Sequence, residues 1–190
     1  DCGALEFSGT LTDAAGPSIS YTNIPNPANI CAAVTLSATI TDPSMVNTTA
    51  GTAPRLWYKK QTNTDALPGT NDNTTDGWKY VEATGSYTFT VDYNKIFGGV
   101  AGADVIQYFV VAQDNAGTPN VSTVSANYFS GFCPSSVALA SGAFPLANTT
   151  GLRTFTIPAF GTATAGTTTA SNATICVSGT TSIGMTPTSG

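Results

Sequence analysis

The sequence predicts an all-β fold, a seven-stranded sandwich of the immunoglobulin-like or fibronectin-like kind. Three observations support this prediction. Helix signals are nearly absent, several short segments alternate between apolar and polar residues, and turn-forming residues separate these segments. In "AVTLSATITD", for example, Val34, Leu36 and Ile40 fall on one face of an extended chain, while serine and threonine fall on the other.

The predicted strands are 18–22, 33–42, 55–62, 78–84, 86–94, 104–113 and 122–130. Their alternation predicts a core that includes Val34, Leu36, Ile40, Phe89, Val91, Ile106, Tyr108 and Val110. In the third strand, "PRLWYKKQ", Trp57 is the expected aromatic anchor of the core. The alternative places Leu56 and Tyr58 inward, and the pattern does not decide between them.

Composition and strand pattern divide the chain into a tail, a sandwich, a connector and the start of a second module. Residues 1–17 form the tail or the end of a preceding module, and 18–130 form the sandwich. Residues 131–170 form a β-rich connector that ends in a Gly/Ala/Thr linker. An Ala-X-Ile-Cys motif precedes the strand at 33–42 and recurs at 173–176, so we expect 171–190 to begin the next module.

Composition excludes several classes of function. Charged residues make up 9% of the chain and the net charge is −5, which argues against nucleic-acid binding. No apolar run approaches the length of a transmembrane helix, so we expect no membrane insertion. Histidine is absent, which excludes histidine-dependent nucleophilic catalysis and most transition-metal sites. Carboxylates are the reactive groups that remain, and nothing in the sequence points to a cleft that would hold a catalytic pair.

Calcium is the one cofactor that the sequence suggests. Asp65, Asp72 and Asp76 crowd the loop "NTDALPGTNDNTTDG", and oxygen ligands on a flexible loop suit Ca²⁺. The spacing fits no EF-hand, and the same residues are common in solvated turns, so we expect at most weak affinity. Asp42 and Asp114 follow strands that end near each other and form a second, weaker candidate site.

The four cysteines, Cys2, Cys31, Cys133 and Cys176, are widely spaced, which favours disulfides and an extracellular setting. Strands of a seven-stranded sandwich alternate in direction, so the second begins at the end where the seventh finishes. Cys31 and Cys133 can therefore pair there, which leaves Cys2 and Cys176 to pair outside the fragment. The rival pairing is Cys2–Cys31 with Cys133–Cys176.

The runs "PRLWYKK", "GWKYVEA" and "IQYFVVAQD", in this order, resemble immunoglobulin-like modules of giant Bacteroidota surface proteins that the type IX secretion system exports. The resemblance covers residues 17–160, and "TICVSGTTSIGM" is similar to the start of another such repeat. These proteins include SprB-like gliding adhesins. The resemblance implies a non-catalytic module of an extracellular surface filament, active in gliding motility or surface attachment, and it carries over no site residues.

Its expected partners are neighbouring modules of the same chain, other filament subunits, and surface glycans or the substratum. The alternative is an accessory carbohydrate-binding or spacer module of a secreted hydrolase, for which an exposed face bearing Trp57, Trp78 and Tyr80 would be the binding platform. A third hypothesis is an assembly subunit whose terminal strand completes a neighbour's sheet. The lysines, among them Lys59 and Lys79, are interpreted as surface residues of strands.

Overall fold

The computed structural model describes residues 13–67, 69–123, 134–139 and 152–159 of the 190-residue chain. These residues form β1 (Ser18–Tyr21), β2 (Thr35–Thr41), β3 (Arg55–Lys60), β4 (Lys79–Glu82), β5 (Thr88–Thr90), a 3₁₀ helix (Tyr93–Lys95), β6 (Val105–Gln113), β7 (Val121–Thr123) and β8 (Arg153–Thr156). No α-helix occurs in these ranges, which confirms the all-β prediction. Nothing in them could cross a membrane as a helix.

The strands form two antiparallel sheets that pack face to face. The first has the order β1-β2-β5, and the second has the order β4-β3-β6-β7, with β8 also paired to β6. Apolar side chains from both sheets fill the space between them, which makes an immunoglobulin-like or fibronectin-like sandwich, as predicted. The seven predicted strands coincide with β1 to β7 within a few residues. Residues 124–130 of the seventh, and the predicted second module at 171–190, lie outside the described residues.

Two strands from distant parts of the chain share one edge of β6. β7 pairs with its last three residues, in a register that places Val111 opposite Thr123. The first four residues of β6 pair instead with β8, with Val105 opposite Thr156. β8 falls in the segment that the sequence assigns to the connector, so the sandwich includes a strand from beyond residue 130.

The inner core is the apolar cluster between the two sheets. All eight predicted core residues belong to it, and none is more than 6% exposed. Leu56 and Tyr58 also face it, each 0% exposed. Because neighbours along a strand point to opposite faces, Trp57 must point outward. The expectation that Trp57 anchors this core is therefore wrong, and the alternative is correct.

The outer cluster is a second apolar group, on the other face of the second sheet. Its buried members are Trp57, Trp78, Phe109, Val111, Val137 and Leu139. The first four come from the sheet and its margin, whereas the last two belong to residues 134–139, which we call the covering segment. The rings of Trp78 and Phe109 meet edge to face, 5.0 Å between centroids. β3 and β6 are therefore buried on both faces.

The sandwich has two ends, and the chain passes from one to the other. The entry pole is defined by Asp13, Asp42 and Asp114. The exit pole is defined by Cys31, Asp104 and Ile157. β1, β7 and β8 all run from the entry pole to the exit pole, as their antiparallel pairings with β2 and β6 require. The first and the last described residues consequently lie at opposite poles.

Candidate functional site

The predicted calcium ligands lie apart in the loop between β3 and β4. The carboxylate of Asp65 forms an ion pair with Lys59, whose Nζ is 3.2 Å away. The carboxylate of Asp72 accepts hydrogen bonds from the hydroxyl of Thr74 and from its N–H, the latter at 2.9 Å, and these contacts lower its pKa. Each of these two acids is thus engaged locally.

Asp76, the third predicted ligand, is also held by its own loop. Its carboxylate accepts hydrogen bonds from the N–H groups of Thr64, at 3.3 Å, and Gly77, at 2.7 Å. Burial opposes ionisation here, but these bonds outweigh it and lower the pKa. Among the described residues, the structure does not gather the three predicted carboxylates into a group that could hold a metal.

The structure does gather three carboxylates at the entry pole. Carboxylate oxygens of Asp13, Asp42 and Asp114 lie within 4.8 Å of one another. Asp42 follows β2 and Asp114 follows β6, so the expectation that these two meet is confirmed. Asp13 was not foreseen, because the sequence places it in a tail without a strand pattern. The candidate functional site is this cluster, to which we give the name aspartate cluster.

Hydrogen bonds from neighbouring loops hold the aspartate cluster in place. Asp114 is 0% exposed, and its carboxylate accepts the N–H of Asn120 at 2.9 Å and the Nδ2 of the same residue at 2.7 Å. The carboxylate of Asp13 accepts the hydroxyl of Ser44 at 2.6 Å. Asn120 Nδ2 also donates to the carbonyl of Asp13 at 3.0 Å, which ties the entering chain to the β6–β7 turn.

Asp42 is the least satisfied member of the aspartate cluster. Its Oδ1 accepts the N–H of Ser44 at 2.7 Å, but its Oδ2 is buried and meets no hydrogen-bond donor among the described residues. Burial raises the pKa of Asp42, and the negative charges of Asp13 and Asp114 raise it further. By contrast, the Ser44 hydroxyl and the Ala15 N–H lower the pKa of Asp13.

This arrangement has two chemical capacities. Three carboxylates in one place offer the hard oxygen ligands that Ca²⁺ prefers. The same three groups repel one another when ionised, and neither ion pair found among the described residues supplies a cation to them. Two of the three are already hydrogen-bonded on both oxygens, as in a satisfied turn network. The repulsion among the three carboxylates therefore acts mainly against the charged form of Asp42.

Two lysines of the second sheet, Lys59 and Lys79, are not surface residues, contrary to their interpretation from the sequence. Lys59 is 2% exposed, and its Nζ lies 5.4 Å from the centre of the Trp78 ring. Lys79 is 0% exposed, and its Nζ donates to the carbonyl of Thr75 at 2.6 Å. Burial lowers the pKa of Lys79. Both lysines extend along the buried margin of the outer cluster. There backbone carbonyls accept hydrogen bonds from both ammonium groups, and Asp65 forms an ion pair with Lys59.

The aromatic residues that a carbohydrate platform would use do lie on one sheet face. Trp57, Trp78 and Tyr80 all belong to the outer side of the second sheet, and the rings of Trp57 and Tyr80 are 4.9 Å apart. Trp57 is 4% exposed and Trp78 0% exposed, because the covering segment and neighbouring loops pack over them. The indole Nε1 of Trp57 donates to the carbonyl of Val137 at 3.3 Å. The structure therefore buries the tryptophans of this face.

Two neighbouring clefts open between the sheets, the larger near the exit pole and the smaller along the side where β4 and β5 lie. Their volumes are about 790 and 510 Å³, and they share Thr90, Val91 and Asp92 in their walls. The larger is also lined by Cys31, Asn73 and Tyr93. The hydroxyl of Tyr93 is buried without a hydrogen bond among the described residues, and burial raises the pKa of this phenol to about 12. This phenol stays neutral at physiological pH.

Cys31 takes part in a disulfide bond. Its partner is not among the described residues, because Cys2, Cys133 and Cys176 all lie outside them. Cys31–Cys133 and the rival Cys2–Cys31 pairing are both compatible with this bond.

Comparisons of the chain with models of protein families, with curated proteins and with solved structures found no match.

Proposed function

We propose that this chain is a non-catalytic structural and adhesive repeat of a long extracellular surface filament, of the kind that the type IX secretion system exports in Bacteroidota. One observation carries the proposal furthest: the described chain enters the sandwich at one pole and leaves it at the other. Modules built in this way join end to end into a rod without doubling back. Neighbouring modules of the same chain are then the first partners of each pole.

The surface and the site chemistry are in keeping with this role. Only 9% of the residues are charged, and the disulfide at Cys31 suits an extracellular protein. The aspartate cluster lies at the entry pole, where the hydrogen bond from Asn120 to the Asp13 carbonyl fixes the direction in which the chain arrives. We place the protein at the cell surface, in attachment or gliding, with surface glycans or the substratum as the outer partners.

The alternative, a carbohydrate-binding or spacer module of a secreted hydrolase, has weaker support. Its expected platform needs exposed aromatic rings, and Trp57 and Trp78 are buried under other parts of the chain. The larger cleft at the exit pole is the feature that favours this alternative. Asn73, Asp92 and Asn94 line it, and their side chains can form hydrogen bonds with sugar hydroxyls.

The test uses the organism that carries the gene. Antibodies against residues 13–159 should label intact cells, and brief treatment with external protease should remove the label. Deletion of the parent gene should reduce attachment or gliding, and the parent chain should hold further modules of this type. Labelling that requires cell lysis, or a parent chain in which a hydrolase domain adjoins this module, would refute the proposal.

A further inference from the structure

The two terminal strands of the sandwich are oriented so that tension between the poles loads them lengthwise. β1 begins at the entry pole, and β8 ends at the exit pole. A pull outward at both poles is therefore parallel to both strands. Hydrogen bonds of an antiparallel ladder are perpendicular to the strands. All bonds of the β1–β2 and β8–β6 ladders then share the load, instead of opening one after another from a free end.

Side chains connect these two strands, although the strands belong to different sheets. The guanidinium of Arg153, the first residue of β8, lies 4.8 Å from the centre of the Tyr21 ring, at the end of β1. The same guanidinium donates a hydrogen bond to the side-chain oxygen of Asn23. Three residues further along both segments, the N–H of Thr156 donates a hydrogen bond to Asn26 Oδ1 at 2.7 Å. Residues 21–26 thus contact both the first and the last residue of β8.

The core anchors β8 from the inside. Phe155 is 1% exposed, and its ring lies 6.0 Å from the ring of Tyr108. The hydroxyl of Tyr108 accepts the N–H of Ile24 at 2.8 Å, so the 21–26 segment is attached to β6 as well as to β8. Removal of β8 would break these polar contacts and expose apolar side chains in the same step.

We propose that β1, residues 21–26 and β8 form a mechanical clamp, by which the module carries tension from one pole to the other. This inference rests on the proposed function, because a filament under load supplies the tension. Arg153 is the main polar element of the clamp, and it is the one charged residue that follows Asp114 in the sequence. Its cation bridges the two sheets at the point where β8 begins.

The test is single-molecule force spectroscopy on the 190-residue chain with a thiol reductant present, because a Cys2–Cys31 or Cys133–Cys176 bridge would carry the load past β1 or β8. Handles at the two termini load the terminal strands lengthwise. In a second geometry, one handle moves to Gly117, an exposed turn residue near the entry pole with no atom within 4 Å of an added Cβ. A residue introduced there for click chemistry spares the cysteines. We expect a higher rupture force between the termini than between the N-terminus and residue 117.

Two variants address the clamp itself, and a third is the matched control. Arg153→Gln and Asn26→Ala should lower the end-to-end rupture force and leave the force in the second geometry unchanged. Thr88→Ala removes an exposed side-chain contact with Ser37 between β2 and β5, away from the terminal strands, and should change neither force. Thermal melting of each variant shows whether it is folded.

The outcomes separate this inference from the proposed function. Equal forces in the two geometries, or an end-to-end force that either clamp variant leaves equal to that of Thr88→Ala, would overturn the clamp and leave the surface-filament proposal untouched. A direction-dependent force that both Arg153→Gln and Asn26→Ala reduce would support the clamp. It would do so even if antibody labelling showed that the protein is not on the cell surface.

Discussion

The inner core and the outer cluster lie on opposite faces of the same two strands, β3 and β6, and are buried by different means. The inner core is covered by a second sheet, whose strands alternate regularly between buried and exposed residues. The outer cluster is covered partly by residues 134–139, which form no strand. A sheet is held by many backbone bonds, whereas the covering segment depends on a few side-chain contacts. We therefore expect the inner core to decide whether the sandwich folds, and the outer cluster to open separately.

The largest effect should come from a charge in the inner core. Val110→Asp places a carboxylate at a position that is 0% exposed in a central strand. No local movement can bring it to water, so the cost should be several kcal/mol, comparable with a total stability of about 5–15 kcal/mol. Far-UV circular dichroism should show loss of the β signal. Thr39→Asp, on the exposed face of β2, is the control and should fold normally.

The same substitution in the outer cluster should have a smaller effect. Val137 is also 0% exposed, but Val137→Asp can reach water if the covering segment detaches. The cost is then limited to the burial that this segment contributes, about 3 kcal/mol. Both tryptophans of the chain belong to the outer cluster, so their fluorescence reports on this region alone. We expect emission at longer wavelength with an unchanged β signal; loss of both signals together would show that the two regions are one cooperative unit.

The contrast between the two regions also explains what the sequence could predict. Alternation along β2 and β5 identified the inner core correctly, because one face of these strands is exposed. Along β3 every residue from Arg55 to Lys59 is buried, so alternation gave no sign of which face holds Trp57. The second face is covered by residues some 80 positions later, and local patterns do not encode such a contact. β8 was placed in the connector for the same reason.

The candidate site was predictable to the same extent. Asp42 and Asp114 each follow a recognisable strand, so the strand pattern placed them at one end of the sandwich. Asp13 precedes the first strand without a signal of its own. Asp65, Asp72 and Asp76 are close in sequence, but the loop turns each towards a different local partner. Proximity along a loop therefore predicted a site less well than the direction of the strands did.

A third test examines the bonds that hold the covering segment. The Oε1 of Gln113 accepts the N–H of Val137 at 3.1 Å, in a buried position. Gln113→Ala should leave that N–H without a partner, at a cost of about 1–3 kcal/mol, and should shift the tryptophan emission part of the way. Gln107, on the same face of β6, is the control: its Oε1 accepts no hydrogen bond from any residue that the structure describes, so Gln107→Ala should cost less. Equal costs would mean that the bond does not hold the segment.

The smallest effect should be a gain in stability at the entry pole. Beside the outer cluster the buried oxygen of Gln113 is paired, whereas Oδ2 of Asp42 is buried, meets no hydrogen-bond donor in the described part of the chain and lies close to the carboxylates of Asp13 and Asp114. Asp42→Asn keeps the oxygen that accepts from Ser44 and removes the charge. We expect it to raise the melting temperature at pH 7 by about 2–4 °C, or roughly 1 kcal/mol for a domain of this size. EDTA must be present, because a divalent cation would neutralise the same charges.

The pH dependence of this gain identifies its cause. The folded-state pKa of Asp42 is raised, so its favourable contribution is present below the ordinary pKa and is lost as pH rises through the raised value. The asparagine variant does not lose it. The difference in melting temperature between the variant and the wild type should therefore vanish near about pH 3, where the Asp42 carboxyl is protonated and, like the asparagine amide, neutral. The difference should grow towards pH 7. Asp72→Asn should show the opposite sign, since hydrogen bonds lower the pKa of that exposed residue. A difference that does not change with pH would assign the gain to packing and not to the charge of Asp42.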